Sequence, residues 1–149
     1  LAKAVALKAM GRFNHEAIAV DRKTGIIYQT EDRHDGLLYR FIPNVKGQLA
    51  RGGKLQALMV EDAAALDTRN WEEQRVPVGS KLTVRWLEMD EVESPKDDLR
   101  QRGFAKGAAP PSTFVRAAAG TITPSRPSAR MAPAPGLRRA QTRTPPLIV

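Results

Sequence analysis

The stretch EAIAVDRKTGIIYQTEDRHDGLLYRFI, residues 16–42, alternates short apolar segments with clusters of turn-forming residues. Apolar segments of five or six residues bounded by glycine, aspartate and other turn residues are typical of β-strands. A fourth such segment follows after a longer loop, so we predict one antiparallel sheet of four strands within residues 11–60. The four predicted strands are EAIAV (16–20), which we expect to be buried, IIYQT (26–30), LLYRFI (37–42) and LQALMV (55–60).

The regions on either side of this stretch predict smaller elements. LAKAVALKAM (1–10) has the amphipathic pattern of two or three helical turns, and KLTVRWLEMD (81–90) predicts a further strand. SPKDDLRQRGFAKGA (94–108) predicts a polar segment with about one helical turn. The fold class is therefore all-β. Four short antiparallel strands have the size of one β-propeller blade, although any antiparallel meander shows the same rhythm.

The length and composition of the chain exclude several classes of function. At 149 residues the chain has the length of one domain, and because it starts at Leu1 we expect it to be part of a longer protein. The net charge of +8 does not indicate nucleic-acid binding, because the excess lies in residues 107–149, which hold 6 of the 24 basic residues and none of the 16 acidic ones. The absence of cysteine excludes disulfides, thiolate zinc sites and cysteine nucleophiles from this chain. No apolar run has the length of a membrane span, and no signal peptide is visible.

The tail, residues 107–149, differs sharply from the body, residues 1–106. It contains no Asp, Glu or Lys, it is rich in Ala, Pro and Arg, and its prolines interrupt both helices and sheets. Three interpretations stay open: a disordered linker or basic tail, an arginine-rich arm for anionic polymers, or a GC-rich gene translated out of frame. We therefore divide the chain into a folded body and an irregular, disordered or frame-shifted tail.

Four phrases of the body closely resemble the PhoX family of bacterial alkaline phosphatases, in the family's order and spacing. They are GRFNHEA (11–17), YQTEDRHDGLLYRFIP (28–43), LDTRNW (66–71) and DEVESPKDDLRQRGFAKGA (90–108). The resemblance runs from about Lys8 to Ala108. It implies a β-propeller, six-bladed in the family's known phosphatase, that is exported to the periplasm or secreted. It also implies a protein, monomeric when intact, that hydrolyses small phosphate monoesters with calcium and iron ions held in its central channel.

The resemblance makes the glutamate of NHEA a candidate metal ligand. In a strand of period two, Glu16 and Ile18 face one side and His15 faces the other. A glutamate at the channel end of an innermost strand points at the propeller axis, and carboxylate oxygens are ligands that suit calcium and iron. We therefore predict that Glu16 binds a metal ion. The alternative is a structural ion pair between Glu16 and Arg12 or Arg33.

Further candidates lie at the same end of the predicted sheet. Glu31 and Asp32 finish the second strand beside the start of the first, so they are weaker candidates for metal ligands, with a solvated turn as the alternative. Arg12, His15 and Arg33 are candidates for orienting the ligands or contacting the substrate, although a lone histidine is more often a packed or hydrogen-bonded residue.

The resemblance also bears on the completeness of the site. Family members continue past GFAKGA into a phrase like RFARGEGIWY, whose glutamate supplies another metal ligand. Here the phrase is STFVRAAAGTIT (112–123), in which Phe114 and Arg116 match and Ala118 stands where the acid is expected. We therefore expect this chain alone to be an inactive fragment of a PhoX-type phosphatase. A non-catalytic propeller scaffold is the alternative, and a propeller hydrolase of the sugar-lactone type is a third interpretation.

Overall fold

The computed structural model describes residues 3–110 and 147–148, and its main feature is one antiparallel sheet in the order β1-β2-β3-β4-β6. A two-stranded ribbon, β5 with β7, and one short helix accompany this sheet within the described residues. The strands are β1 His15–Val20, β2 Ile27–Glu31, β3 Leu38–Pro43, β4 Gly53–Val60, β5 Lys81–Leu82, β6 Val84–Glu88 and β7 Leu147–Ile148; helix α1 spans Leu99–Ala105, and two 3₁₀ turns span Lys8–Met10 and Leu49–Arg51.

The four predicted strands are present as β1 to β4, each antiparallel to the next. The sheet has five strands rather than the predicted four, because β6 pairs with the free edge of β4. The all-β class is confirmed, while the propeller blade stays a prediction. The predicted helix at the start of the chain is wrong: within residues 3–10 only Lys8–Met10 is helical, as a single 3₁₀ turn. No helix in the described part of the chain is long and apolar enough to cross a membrane.

The turn between β1 and β2 forms as its sequence predicts. Asp21 Oδ1 accepts a hydrogen bond from Lys23 N at 2.9 Å, and its Oδ2 accepts one from Thr24 Oγ1 at 2.5 Å. Gly25 adopts a φ of +79°, which a residue with a Cβ rarely adopts, and its N–H donates to Asp21 O at 2.7 Å. This tight turn sets β1 directly beside β2.

Strand β1 is exposed, so the prediction of a buried strand is wrong for this segment. Ile18 and Val20 are 55% and 51% exposed, because β1 is an edge strand whose outer side no described residue covers. The predicted alternation is wrong as well, since the register shifts at a bulge between His15 and Ile18. His15 lies opposite Glu31 and Ile18 lies opposite Gln29, so His15 and Ile18 share one face.

The larger core cluster lies on one face of the central strands, and a smaller cluster of Leu38, Leu58 and Val84 lies on the other face. Tyr39 and Phe41 of β3 are fully buried, and Leu55 of β4 is 2% exposed. Each such side chain contributes about 1.5–3 kcal/mol by leaving water. Helix α1 packs on this face through Leu99 and through Gly103, where an added Cβ would lie 2.5 Å from the Leu37 side chain. The helix is thereby fixed close to the end of the sheet that carries Glu31.

Residues 107–110, the first part of the predicted tail, pack against the body. Ala108 and Ala109 are fully buried, and Ala109 N donates to Leu58 O at 3.0 Å. Thr68 Oγ1 donates to Pro110 O at 2.6 Å. Disorder or a frame shift was predicted for residues 107–149. Residues 111–146 and 149 lie outside the described residues, so for them the prediction stays a prediction, while Leu147–Ile148 forms β7.

Candidate functional site

Glu16 lies beside the β1 bulge with its side chain exposed to solvent. Its Oε2 accepts a hydrogen bond from Thr30 Oγ1 at 3.4 Å, and Ala17 N donates to the same hydroxyl at 3.2 Å. A distance of 3.4 Å is long for a hydroxyl donor, so most of the acceptor capacity of the carboxylate remains available. Within residues 3–110 neither arginine of the alternative interpretation forms an ion pair with Glu16.

Asp32 follows β2 and is tied to the residue just before β1. Its backbone N–H donates to Asn14 O at 2.8 Å. Asn14 Nδ2 donates a hydrogen bond to Asp32 O at 3.1 Å and a longer one to Asp32 Oδ2 at 3.4 Å. The predicted meeting of the end of β2 with the start of β1 is therefore confirmed, and it leaves the Asp32 side chain exposed at the same end of the sheet as Glu16.

The three predicted accessory residues are dispersed. The His15 ring stacks on Phe13 with 3.7 Å between ring centroids, and its Nε2 lies 3.1 Å from Gly11 O. The Arg12 side chain is exposed. Arg33 Nη2 lies 2.8 Å from Asp97 Oδ2, so this arginine pairs with the segment before α1.

Glu31 has surroundings opposite to those of Glu16, because its side chain is fully buried. Its Oε1 lies 3.1 Å from Arg100 Nη1. Its Oε2 accepts hydrogen bonds from Leu37 N at 3.2 Å and from the Tyr39 hydroxyl at 3.4 Å. Both oxygens of this carboxylate are therefore engaged by groups of the protein.

Arg100 connects Glu31 to the turn that follows β2. Its side chain is only 12% exposed and lies within ion-pair distance of three carboxylates. Beyond Glu31, Arg100 Nε lies 3.0 Å from Asp35 Oδ1, and Arg100 Nη1 lies 3.5 Å from Asp97 Oδ1. Because Asp97 also holds Arg33, this network fixes the turn to the start of α1.

The buried position perturbs the titration of this network. Burial raises the pKa of Glu31, against the opposing influence of the Leu37 N–H and the Arg100 charge. Burial, with the charge of Glu31, also raises the pKa of Tyr39. Burial alone lowers the pKa of Arg100, but its contacts with Asp35 and Glu31 outweigh that cost and the pKa is raised.

Two cavities lie apart from this network. An open groove of about 690 Å³ beside β1 is lined by Leu7, Phe13, His15 and Ile18, with the buried Gln29 at its base. A polar pocket of about 330 Å³ lies in the loop Asp67–Arg75, where the Arg69 guanidinium sits 4.5 Å from the Trp71 ring centroid. Neither cavity includes Glu16, Glu31 or Asp32 among its lining residues.

Arg100 and Tyr39 are residues of this region that the sequence analysis did not single out. Tyr39 was included in a predicted strand, and Arg100 was included in a polar segment without a role. The signal for Arg100 was weak, namely a basic residue in the first turn of a short helix, three positions after Asp97. Its contact with Glu31 joins residues 69 positions apart, which no local pattern reveals.

A comparison with known protein families shows to which family the chain belongs. The family described as alkaline phosphatase PhoX matches residues 2–140. The chain belongs to the PhoX family of alkaline phosphatases. The match continues past Ala108, where the resemblance of the quoted phrases ends. Neither the curated proteins nor the solved structures gave a match to this chain.

PhoX family membership implies a metal-dependent phosphatase, so the chemistry of its exposed carboxylates bears on metal binding. Glu16 and Asp32 offer exposed carboxylates of the type that hard cations bind, whereas a calcium ion takes six to eight oxygen ligands. Within residues 3–110 no cluster of three or more His, Asp or Glu side chains could hold an ion. The described residues therefore offer carboxylates of a suitable chemical type at Glu16 and Asp32, and a complete ligand set is not among them.

Proposed function

We propose that this chain supplies the Glu16 and Asp32 carboxylates to a metal-dependent PhoX phosphatase that hydrolyses phosphate monoesters, with calcium and iron as its ions. The observation that carries the proposal is the family match over residues 2–140. The exposed carboxylate of Glu16, with only one long hydrogen bond to a hydroxyl, supports its part in metal binding.

The role of the chain in this reaction is to hold two negative charges at one end of the sheet. The Asn14 bonds to Asp32 and the Thr30 bond to Glu16 limit how these side chains move without neutralising them. Bound there, calcium or iron would neutralise phosphate charge and activate a water molecule. Because the described carboxylates are too few for a complete site, we expect negligible hydrolysis of p-nitrophenyl phosphate by the 149-residue chain alone.

Calcium titration calorimetry of the full chain tests the proposal. Glu16→Gln keeps the size of the side chain and one acceptor oxygen but removes the charge, so the calcium Kd is expected to rise about tenfold or more. Glu61→Gln is the matched control, because Glu61 is an exposed glutamate that follows β4, three strands away from β1 in the sheet, and its Kd should stay within about twofold of wild type. Equal affinity in wild type and Glu16→Gln would remove Glu16 from the site.

In a longer polypeptide that completes the ligand set, Glu16→Gln is expected to abolish phosphatase turnover while the protein stays folded. The measurements are metal content and rate beside wild type. Normal metal content with a normal rate would assign Glu16 a structural role. Loss of both, with an unchanged circular dichroism spectrum, is the expected result. A non-catalytic scaffold would bind ions without turnover in either form.

We also propose a periplasmic or secreted location, which the resemblance to exported phosphatases supports. Fractionation of cells that express the natural gene tests it, and recovery of the protein in the cytoplasmic fraction would contradict it.

A further inference from the structure

Complete burial and three internal partners separate the Glu31 carboxylate from the other candidate ligands. Arg100 occupies Oε1, while Leu37 N–H and the Tyr39 hydroxyl occupy Oε2. The side chain has no exposed surface, so an ion could reach it only after displacing Arg100 or opening the core. A ligand for an exchangeable ion needs an accessible lone pair, and Glu31 does not present one.

Arg100 in turn depends on Glu31. The Arg100 side chain is 12% exposed, and of its three carboxylate partners in the described part of the chain Glu31 is fully buried, while the side chains of Asp35 and Asp97 are 45% and 49% exposed. A buried arginine beside an ionised carboxylate is tolerated because each removes the unpaired charge of the other. The pair therefore fastens α1 to the end of β2.

The same pair determines where the turn 32–36 lies. The turn is held on one side by the Arg100 contact to Asp35 and on the other by Arg69 Nη1, which donates to His34 O at 3.1 Å. Asp32 is the first residue of this turn, and its backbone is joined to the start of β1. Movement of the turn would therefore strain the bonds between Asp32 and Asn14 and displace the Asp32 carboxylate that they hold beside the start of β1.

We infer that Glu31 is the internal counter-ion of Arg100 and a positioning residue for the Asp32 turn, and that it does not ligate the metal ion. The inference rests on the proposed function only where it concerns metal binding at Glu16 and Asp32. The ion pair itself is testable without any metal.

The first experiment is a rescue series on the full chain without added metal. Arg100→Met leaves Glu31 buried and unpaired, so at pH 7.5 we expect the Tm to fall by about 10 °C. Adding Glu31→Gln to Arg100→Met removes the orphaned charge and should recover at least half of that loss, which is a non-additive result. A double variant no more stable than Arg100→Met overturns the inference. If Arg100→Met does not fold, folding of the double variant supports the inference and failure of both overturns it.

The second experiment measures calcium affinity in the same series, below the Tm of each variant. If Glu31 positions the turn, Arg100→Met weakens calcium binding about tenfold, because supporting residues of metal sites have effects of this size. Arg100→Lys keeps a charge beside Glu31 and should recover much of the affinity. If Glu31 were a ligand, Arg100→Met would free its carboxylate and tighten binding, and that result overturns the inference.

Carboxyl carbon NMR of the wild-type chain during a calcium titration completes the test. The Glu16 resonance should move and the Glu31 resonance should stay in place, while a direct calcium-dependent shift of Glu31 overturns the inference. If calcium moves neither Glu16 nor Asp32, the proposed function fails at this site, and the rescue series alone then decides the role of Glu31.

Discussion

Glu16 and Glu31 lie on neighbouring strands at one end of the same sheet, yet their surroundings differ in nearly every respect. Glu16 is exposed on an edge strand, with one long hydrogen bond to a hydroxyl. Glu31 is fully buried, and an arginine, a backbone N–H and a phenol occupy its oxygens. The comparison teaches that what covers a glutamate, and not its place near a strand end, decides whether its carboxylate is open to a ligand.

The largest effect is expected for Arg100→Met, which removes the charged partner of Glu31. The thermal stability of this variant should depend strongly on pH. Burial raises the pKa of Glu31, and loss of the arginine raises it further because a favourable charge disappears. The folded state then holds a proton that the unfolded state releases above about pH 4.5, so stability is present at lower pH and is lost as pH rises through the folded pKa.

The Tm deficit of Arg100→Met relative to wild type should therefore be large at pH 7.5 and should shrink as the pH is lowered toward about 5. Thermal unfolding followed by circular dichroism at several pH values measures it. A deficit that is constant across this range would show that Glu31 takes up no proton and that the two residues are not electrostatically coupled.

Gly36→Ala should give the next largest effect, because it crowds the turn that separates Glu31 from β3. An added Cβ would lie 2.5 Å from Glu31 O and 3.0 Å from Arg33 O, so the backbone must shift. We expect a loss of about 2–3 kcal/mol in the free energy of unfolding, measured by urea denaturation.

Gly47→Ala is the control for this substitution. Nothing lies within 4 Å of the Cβ position at Gly47, so only its φ of +75° opposes alanine, at about 1 kcal/mol. Equal losses in the two variants would show that the turn is loose rather than tightly packed.

The smallest expected effect is that of Glu16→Gln on stability. The side chain is exposed and its one hydrogen bond is long, so without metal the Tm should stay within about 2 °C of wild type. Added calcium should raise the Tm of wild type more than that of Glu16→Gln, because an ion that binds the folded state stabilises it. A large loss without metal would make Glu16 a structural residue like Glu31.

Local patterns in the sequence were sufficient for β2, β3 and β4, since their apolar segments lie between turn residues and they are paired in chain order. The same patterns misjudged β1, because EAIAV is apolar enough for a core strand while its neighbours leave it at an edge. The bulge after His15 was also invisible, since one extra residue changes which side chains share a face without changing composition.

The sequence by itself determined the segments of β1 to β4, the turn at residues 21–25 and the family, because these depend on residue types a few positions apart or on whole phrases. Only the tertiary structure decided which glutamate is accessible. Glu31 became a buried counter-ion through an arginine 69 positions further along the chain, brought to it when α1 packed on the sheet. Contacts between distant segments determine which side chains are exposed and which charges pair, so a local sequence pattern cannot predict either.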